Sequence, residues 1–231
     1  MNAIPNDSKT DRRGFLGSVA SGAAAIGLAA LATPISVAAA EGVPQDTDLE
    51  AWFAGMKGKH KMIFDATQPH GIYPFAWPRV FLMTNELTGT MPKDCNAMVV
   101  LRHEAIPYAF EDRIWEKYKL GDVFKADDPA TKSRALRNPF AMPKTDEYKA
   151  PGIGAVLIGI NELQASGVMF CVCNLAITTF TTRVAQGMGL DPAEVRKDWL
   201  SGLLPGIRIV PSGVWAVGRA QEHGCAYCFA G

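Results

Sequence analysis

The chain lacks the sequence marks of a nucleotide or nucleic-acid partner. No G-x-G-x-x-G follows a predicted strand and no phosphate-binding loop occurs, so no nucleotide cofactor is implied. Neither sign of charge is in excess, since 23 Lys and Arg balance 23 Asp and Glu. A Lys/Arg block with interleaved aromatics is also missing, which removes nucleic acid and acidic lipid surfaces from the expected partners. Beyond the first forty residues no apolar run reaches membrane-spanning length, so that part is not expected to cross a bilayer. Cysteine is sparse and odd in number, at five.

The N-terminus carries a targeting pattern. Lys9, Arg12 and Arg13 precede an uncharged Ala/Gly-rich run from Gly14 to Ala40, which closes on Val37-Ala38-Ala39-Ala40, a small-residue cleavage signature. Arg12-Arg13 followed by Gly14-Phe15-Leu16 resembles the twin-arginine signal, an address for export of folded proteins. Residues 1–40 are therefore read as that signal, with a plain Sec signal or an uncleaved anchor as alternatives. Gly22, Gly27 and Pro34 make the run a weak anchor. The remaining residues, 41–231, suffice for a single domain with a real core. They are expected to work outside the cytoplasm, in the periplasm or an equivalent space. All five cysteines (Cys95, Cys171, Cys173, Cys225, Cys228) fall there, and in an oxidising compartment an odd count leaves one thiol unpaired or paired externally.

Periodicity gives the architecture. His60–Asp65, Ala97–Leu101, Val168–Val172, Ile207–Val210 and Cys225–Phe229 read as strands; the second is uninterruptedly apolar, as a central parallel strand buried on both faces should be. Helices are expected at about Leu49–Met56, Phe75–Thr88, Ala109–Tyr118, Ile153–Ser166 and Asn174–Gly187. Two more are expected, one opened by Asp191-Pro192-Ala193-Glu194 and one over Ser212–Glu222 capped by Ser212. Alternation of this kind predicts a three-layer α/β/α fold with a mostly parallel sheet of about five strands. Between Leu120 and Pro151 the pattern dissolves into a long loop, which in a compact domain is functional, an interface or mobile.

Reactive groups in such a sheet gather beyond the carboxyl ends of the strands. Spacing places Asp65 to His70, Arg102-His103-Glu104, Cys171 with Cys173, and Pro211-Ser212 there. Cys173 is the leading candidate, because a strand hands over to a helix at that point, with Asn174 as cap. Free N–H groups and the helix dipole there favour a thiolate. A disulfide to Cys171 is disfavoured, since residues two apart in a strand have Cα atoms about 6.5 Å apart and parallel side chains; Cys171 is expected to be buried and Cys173 accessible. Cys225 and Cys228 have the C-x-x-C spelling of redox and zinc sites, but within a strand their side chains point to opposite faces. Cys95 lies on the opposite edge from the site. His103 is a candidate proton partner, or else a hydrogen-bonded structural histidine.

Gly167-Val168-Met169-Phe170-Cys171-Val172-Cys173-Asn174 resembles the strand and cysteine turn of DsrE/DsrF-like proteins, a group linked to sulfur oxidation and sulfur relay. Leu204–Val214 and Arg219–Gly224 resemble that family's closing strand, helix and turn, and Val99-Val100-Leu101-Arg102-His103 resembles the segment where exported members place a histidine. The resemblance implies a three-layer α/β protein with a propensity to form homo-oligomers, in which Cys173 carries sulfur as a persulfide; in the leading reading His103 is the neighbouring proton partner. Its partner is then a sulfur donor or acceptor protein, or a small sulfur compound. Two other readings stay open: a non-catalytic assembly module contacting partners through the 120–151 loop, and a metal protein using Cys225 and Cys228.

Overall fold

Five apolar runs pair into one sheet. In the computed structural model residues 46–144 and 146–231 are described, and the targeting pattern at 1–40 lies outside them. The chain runs α1 (Asp46–Phe53), β1 (His60–Ala66), α2 (Tyr73–Leu87) and β2 (Cys95–Leu101), then a 3-10 helix over His103–Ala109. It continues through α3 (Asp112–Tyr118), α4 (Leu120–Val123), a two-stranded hairpin of β3 (Lys149–Ala150) and β4 (Gly154–Ala155), and α5 (Ile160–Ala165). The C-terminal part is β5 (Met169–Cys173), α6 (Asn174–Met188), α7 (Pro192–Ser201), β6 (Ile207–Val210), α8 (Gly213–Glu222) and β7 (Ala226–Phe229). The main sheet has the order β6-β5-β2-β1-β7, and every pairing in it is parallel.

Two apolar layers cover this sheet. Ala97, Val99 and Leu101 face one cluster together with Phe64, Phe170, Val172 and Phe180; Met98 and Val100 face the other with Ile63, Cys171, Ala216, Ala220 and Phe53. Alternating side chains of β2 thus feed both layers, which is why that strand has no polar position between Ala97 and Leu101. The first layer is roofed by α2 and α6, the second by α1 and α8. No described helix is long and apolar enough to cross a membrane.

Two expected helices come out differently. The segment read as one helix over Ala109–Tyr118 is a 3-10 helix ending at Ala109, an extended stretch at Phe110 and Glu111, and α3 from Asp112. Pro107 has no N–H to continue an α-helical ladder, and Phe110 instead bridges to Leu203. Periodicity over Ile153–Ser166 overstates a helix that begins only at Ile160. Gly152 and Gly154 take positive φ (77° and 91°) to close the hairpin, and Gly159 caps α5 with its N–H donated to Glu162 Oε2 at 2.8 Å.

The 120–151 segment has little regular structure but is firmly packed. Phe124, Phe140 and Tyr148 are buried in the α6-side core. Asn138 is fully buried; its amide donates to the carbonyls of Tyr108 (2.9 Å) and Phe110 (2.8 Å), while its oxygen accepts the Phe140 N–H. Gly121 lies so close to the returning chain that a Cβ there would meet the Ala135 carbonyl oxygen at 2.0 Å. Stacked Phe75, Phe140 and Tyr148 rings continue the packing outward.

Candidate functional site

The loops leaving β5 and β6 diverge to opposite faces. From β5 the chain turns into α6 over one apolar layer, and from β6 it turns into α8 over the other. This divergence between neighbouring parallel strands is the switch point at which open α/β sheets form their crevice. Cys173 stands there, in register with Val210 of β6.

The thiol expected to be accessible is buried: Cys173 is 7% exposed and packs into the α6-side core. Cys173 itself, rather than Asn174, is the cap of α6. Its backbone is still extended (φ −73°, ψ 112°), and its Sγ accepts the Ala176 N–H at 3.3 Å. Asn174 is the first helical residue, buried, with its oxygen held by Arg196 of α7 at 2.8 Å. The Leu175 N–H reaches the Pro211 carbonyl at 3.4 Å, tying the head of α6 to the end of β6. Ser212 caps α8 by accepting the Trp215 N–H, and Asp191 caps α7 by accepting the N–H groups of Ala193 and Glu194.

Beside the sulfur lies an ion pair. The last β2–β5 pairing is Leu101 with Val172, so the next step puts Arg102 alongside Cys173. Arg102 is fixed by a bidentate contact: Nε and Nη2 donate to the two oxygens of buried Asp65 at 2.7 and 2.8 Å. The Tyr227 hydroxyl from β7 donates to Asp65 Oδ2 at 2.9 Å. The Arg102 stem lies across the first turn of α8, and a Cβ on Gly213 would meet Arg102 Cβ at 2.5 Å. The Asp65 hydrogen bond is the main cause of the upward shift in the Arg102 pKa; burial works against it, and the charges of Asp65, Tyr227 and Cys173 add to it. In turn, Tyr227 is pushed up first by burial and then by Asp65.

Solved structures that align with the chain include one of a protein of unknown function from Methanobacterium thermoautotrophicum, 19% identical over 74% of this chain and 98% of that one, with a TM-score of 0.31. No family model and no curated protein matches the chain.

The remaining predicted residues fall elsewhere. His103 takes a left-handed backbone (φ 49°), one that histidine tolerates better than most residues, and its exposed ring sits edge-on to Phe180 at 6.0 Å. Arg102 and His103 therefore part company at the end of β2, one toward α8 and one toward α6. Among the described residues no hydrogen bond joins His103 to Cys173, so the sulfur's charged neighbour is Arg102.

Cys171 is fully buried, and burial first, then the charges of Cys173 and Asp65, push its thiol up. All five cysteines are free thiols. Cys225 sits in the α8-side core with its thiol on Met56 Sδ at 3.6 Å, whereas Cys228 packs against the opposite cluster. Their sulfurs face different sides of the sheet, so the pair cannot close on one ion as it stands. Nor do the described residues contain a group of three or more His, Cys, Asp or Glu placed to hold a metal.

Asp65, Arg102 and Cys173 were each legible as strand-end residues. Tyr227 was not, because a tyrosine in a short edge strand has no signal of its own until the β1–β7 register is known.

Proposed function

We propose that the protein is an exported sulfur carrier that takes up sulfane sulfur on Cys173. The observation that carries this reading is the pairing of a thiol at the head of α6 with a fixed guanidinium at the switch point of the sheet. A sulfur that holds negative charge needs an N–H aimed at it and a cation nearby, and Ala176 and Arg102 supply both. The twin-arginine pattern around Arg12-Arg13 supports an extracytoplasmic location, and the resemblance of the Cys173 segment to DsrE/DsrF-like proteins supports sulfur as the cargo.

In the step envisaged, the Cys173 thiolate attacks the outer sulfur of a donor persulfide. A new Sγ–S bond forms, the donor's S–S bond breaks, and the donor leaves as a thiolate. The transferred sulfur keeps its proton, and no external oxidant or reductant is needed. Arg102 offsets the negative charge as it passes from Sγ to the leaving thiolate. The direct test is to incubate the full chain with glutathione persulfide and weigh it. A single adduct of about 32 Da, lost in Cys173→Ser, is expected; an unmodified Cys173 with the other thiols modified would remove the proposal.

A further inference from the structure

A cavity of about 430 Å³ opens between the loop after β1 and the segment that follows α4. It is lined by Pro69, Ile72 and Tyr73 from the loop after β1, by Lys125, Asp127, Asp128 and Lys132 from the later segment, and by Tyr108. Its size falls in the range of small-molecule sites. It lies at the carboxyl end of β1, on the same edge of the sheet as Cys173, but none of its lining residues belongs to that site.

Tyr108 is the informative member. The residue is 1% exposed, with its ring enclosed by Phe75, Phe140 and Trp115. Its backbone carbonyl is used by Asn138, but its hydroxyl hydrogen-bonds to nothing among the described residues. That hydroxyl is not sealed from solvent, so it opens on the cavity, where water or a ligand accepts its hydrogen bond. Burial first, then the Asp127 carboxylate, push this phenol up, so it stays a neutral donor at physiological pH.

The charges around it are not evenly engaged. Asp127 is paired with Arg134, and Asp128 spends Oδ1 on the N–H groups of Ala130 (2.8 Å) and Thr131 (3.3 Å). Neither Lys125 nor Lys132 has a carboxylate within ion-pair distance among the described residues. Both are held in the left-handed region, at φ 52° and 57°, a conformation lysine seldom adopts. The cavity therefore presents three donors without a protein partner among the described residues, the Tyr108 hydroxyl and two exposed ammonium groups, beside an apolar wall of Pro69, Ile72 and Tyr73.

We infer that this cavity binds a small organic acid, its carboxylate held by Tyr108, Lys125 and Lys132 and its apolar body against Ile72 and Tyr73. The site is independent of the chemistry at Cys173 and holds whether or not that cysteine carries sulfur.

The test titrates the full chain with benzoate and, separately, with inorganic phosphate, by calorimetry. Saturable one-to-one benzoate binding is expected, about tenfold weaker in Tyr108→Phe from loss of one hydrogen bond to a charged group, and abolished in Lys125→Ala/Lys132→Ala. Because the Tyr108 hydroxyl has no partner in the protein, Tyr108→Phe should leave the Tm within about 2 °C of the parent. Binding of phosphate without benzoate overturns the organic-acid assignment. Absence of both overturns the site, as does benzoate affinity unchanged in Tyr108→Phe. A large fall in Tm in Tyr108→Phe would mean that the hydroxyl is already satisfied, and it too overturns the inference.

Discussion

Asp65→Asn is the substitution that most directly probes how Arg102 is held. Asp65 has 3% of its side chain exposed and Arg102 28%, so the pair is buried at one end and wetted at the other. At an effective dielectric near 20 and about 4 Å between charges, the attraction lost is about 4 kcal/mol. Three effects reduce that figure. Neutral Asn is easier to bury than a carboxylate, its oxygen still accepts one bond, and the exposed part of Arg102 can rehydrate. A net loss of about 2 kcal/mol follows, or about 4–8 °C in Tm for a chain of this size. Thermal melts of Asp65→Asn, Arg102→Met and the double variant measure it. The double variant should be less destabilised than the sum, with a coupling of at least about 1 kcal/mol. If Asp65→Asn melts within about 2 °C of the parent, or if the two changes simply add, then Asp65 does not anchor Arg102 and the account of the Cys173 site loses its fixed cation.

Acid should loosen the α3–α7 contact. Burial would raise the Asp198 carboxyl, but hydrogen bonds from Lys117, Tyr118 and Arg113 outweigh it and hold the group down at about 2. A depressed carboxyl stabilises the fold above its unfolded pKa and loses that contribution as pH falls toward the folded value, so Asp198→Asn should flatten the stability profile between about pH 4 and pH 2 in urea melts. Gly121→Ala should destabilise by about 3 kcal/mol or more, because the added methyl meets backbone at Ala135 rather than a side chain that can swing away; a Tm within about 3 °C of the parent would show that the 120–151 segment yields freely.

The strands were legible because each is a short apolar run whose burial is intrinsic to its residues. The sheet order was not, since only pairing sets β7 beside β1. Ser212 and Asp191 were readable as caps because a hydroxyl or carboxylate at a helix start acts locally. Cys173 was readable as a strand-end thiol, but the choice between Arg102 and His103 as its neighbour depends on the left-handed turn at His103, which histidine's identity does not announce. The 120–151 segment looked like a loop because its elements are a few residues long. Its order comes from Asn138, Phe140 and Tyr148, isolated residues whose packing has no period to detect.

The pairing of β1 with β7 also sets an order of events during synthesis. Tyr227 and Asp65 are 162 residues apart, and four strands of the sheet are already made before β7 emerges. Until then β1 presents a bare edge, with Asp65 lacking its tyrosine, which makes the half-finished chain prone to pair with another. A binding factor that shields this edge until the last strand docks would raise the yield of correctly folded protein more than one acting on any earlier segment.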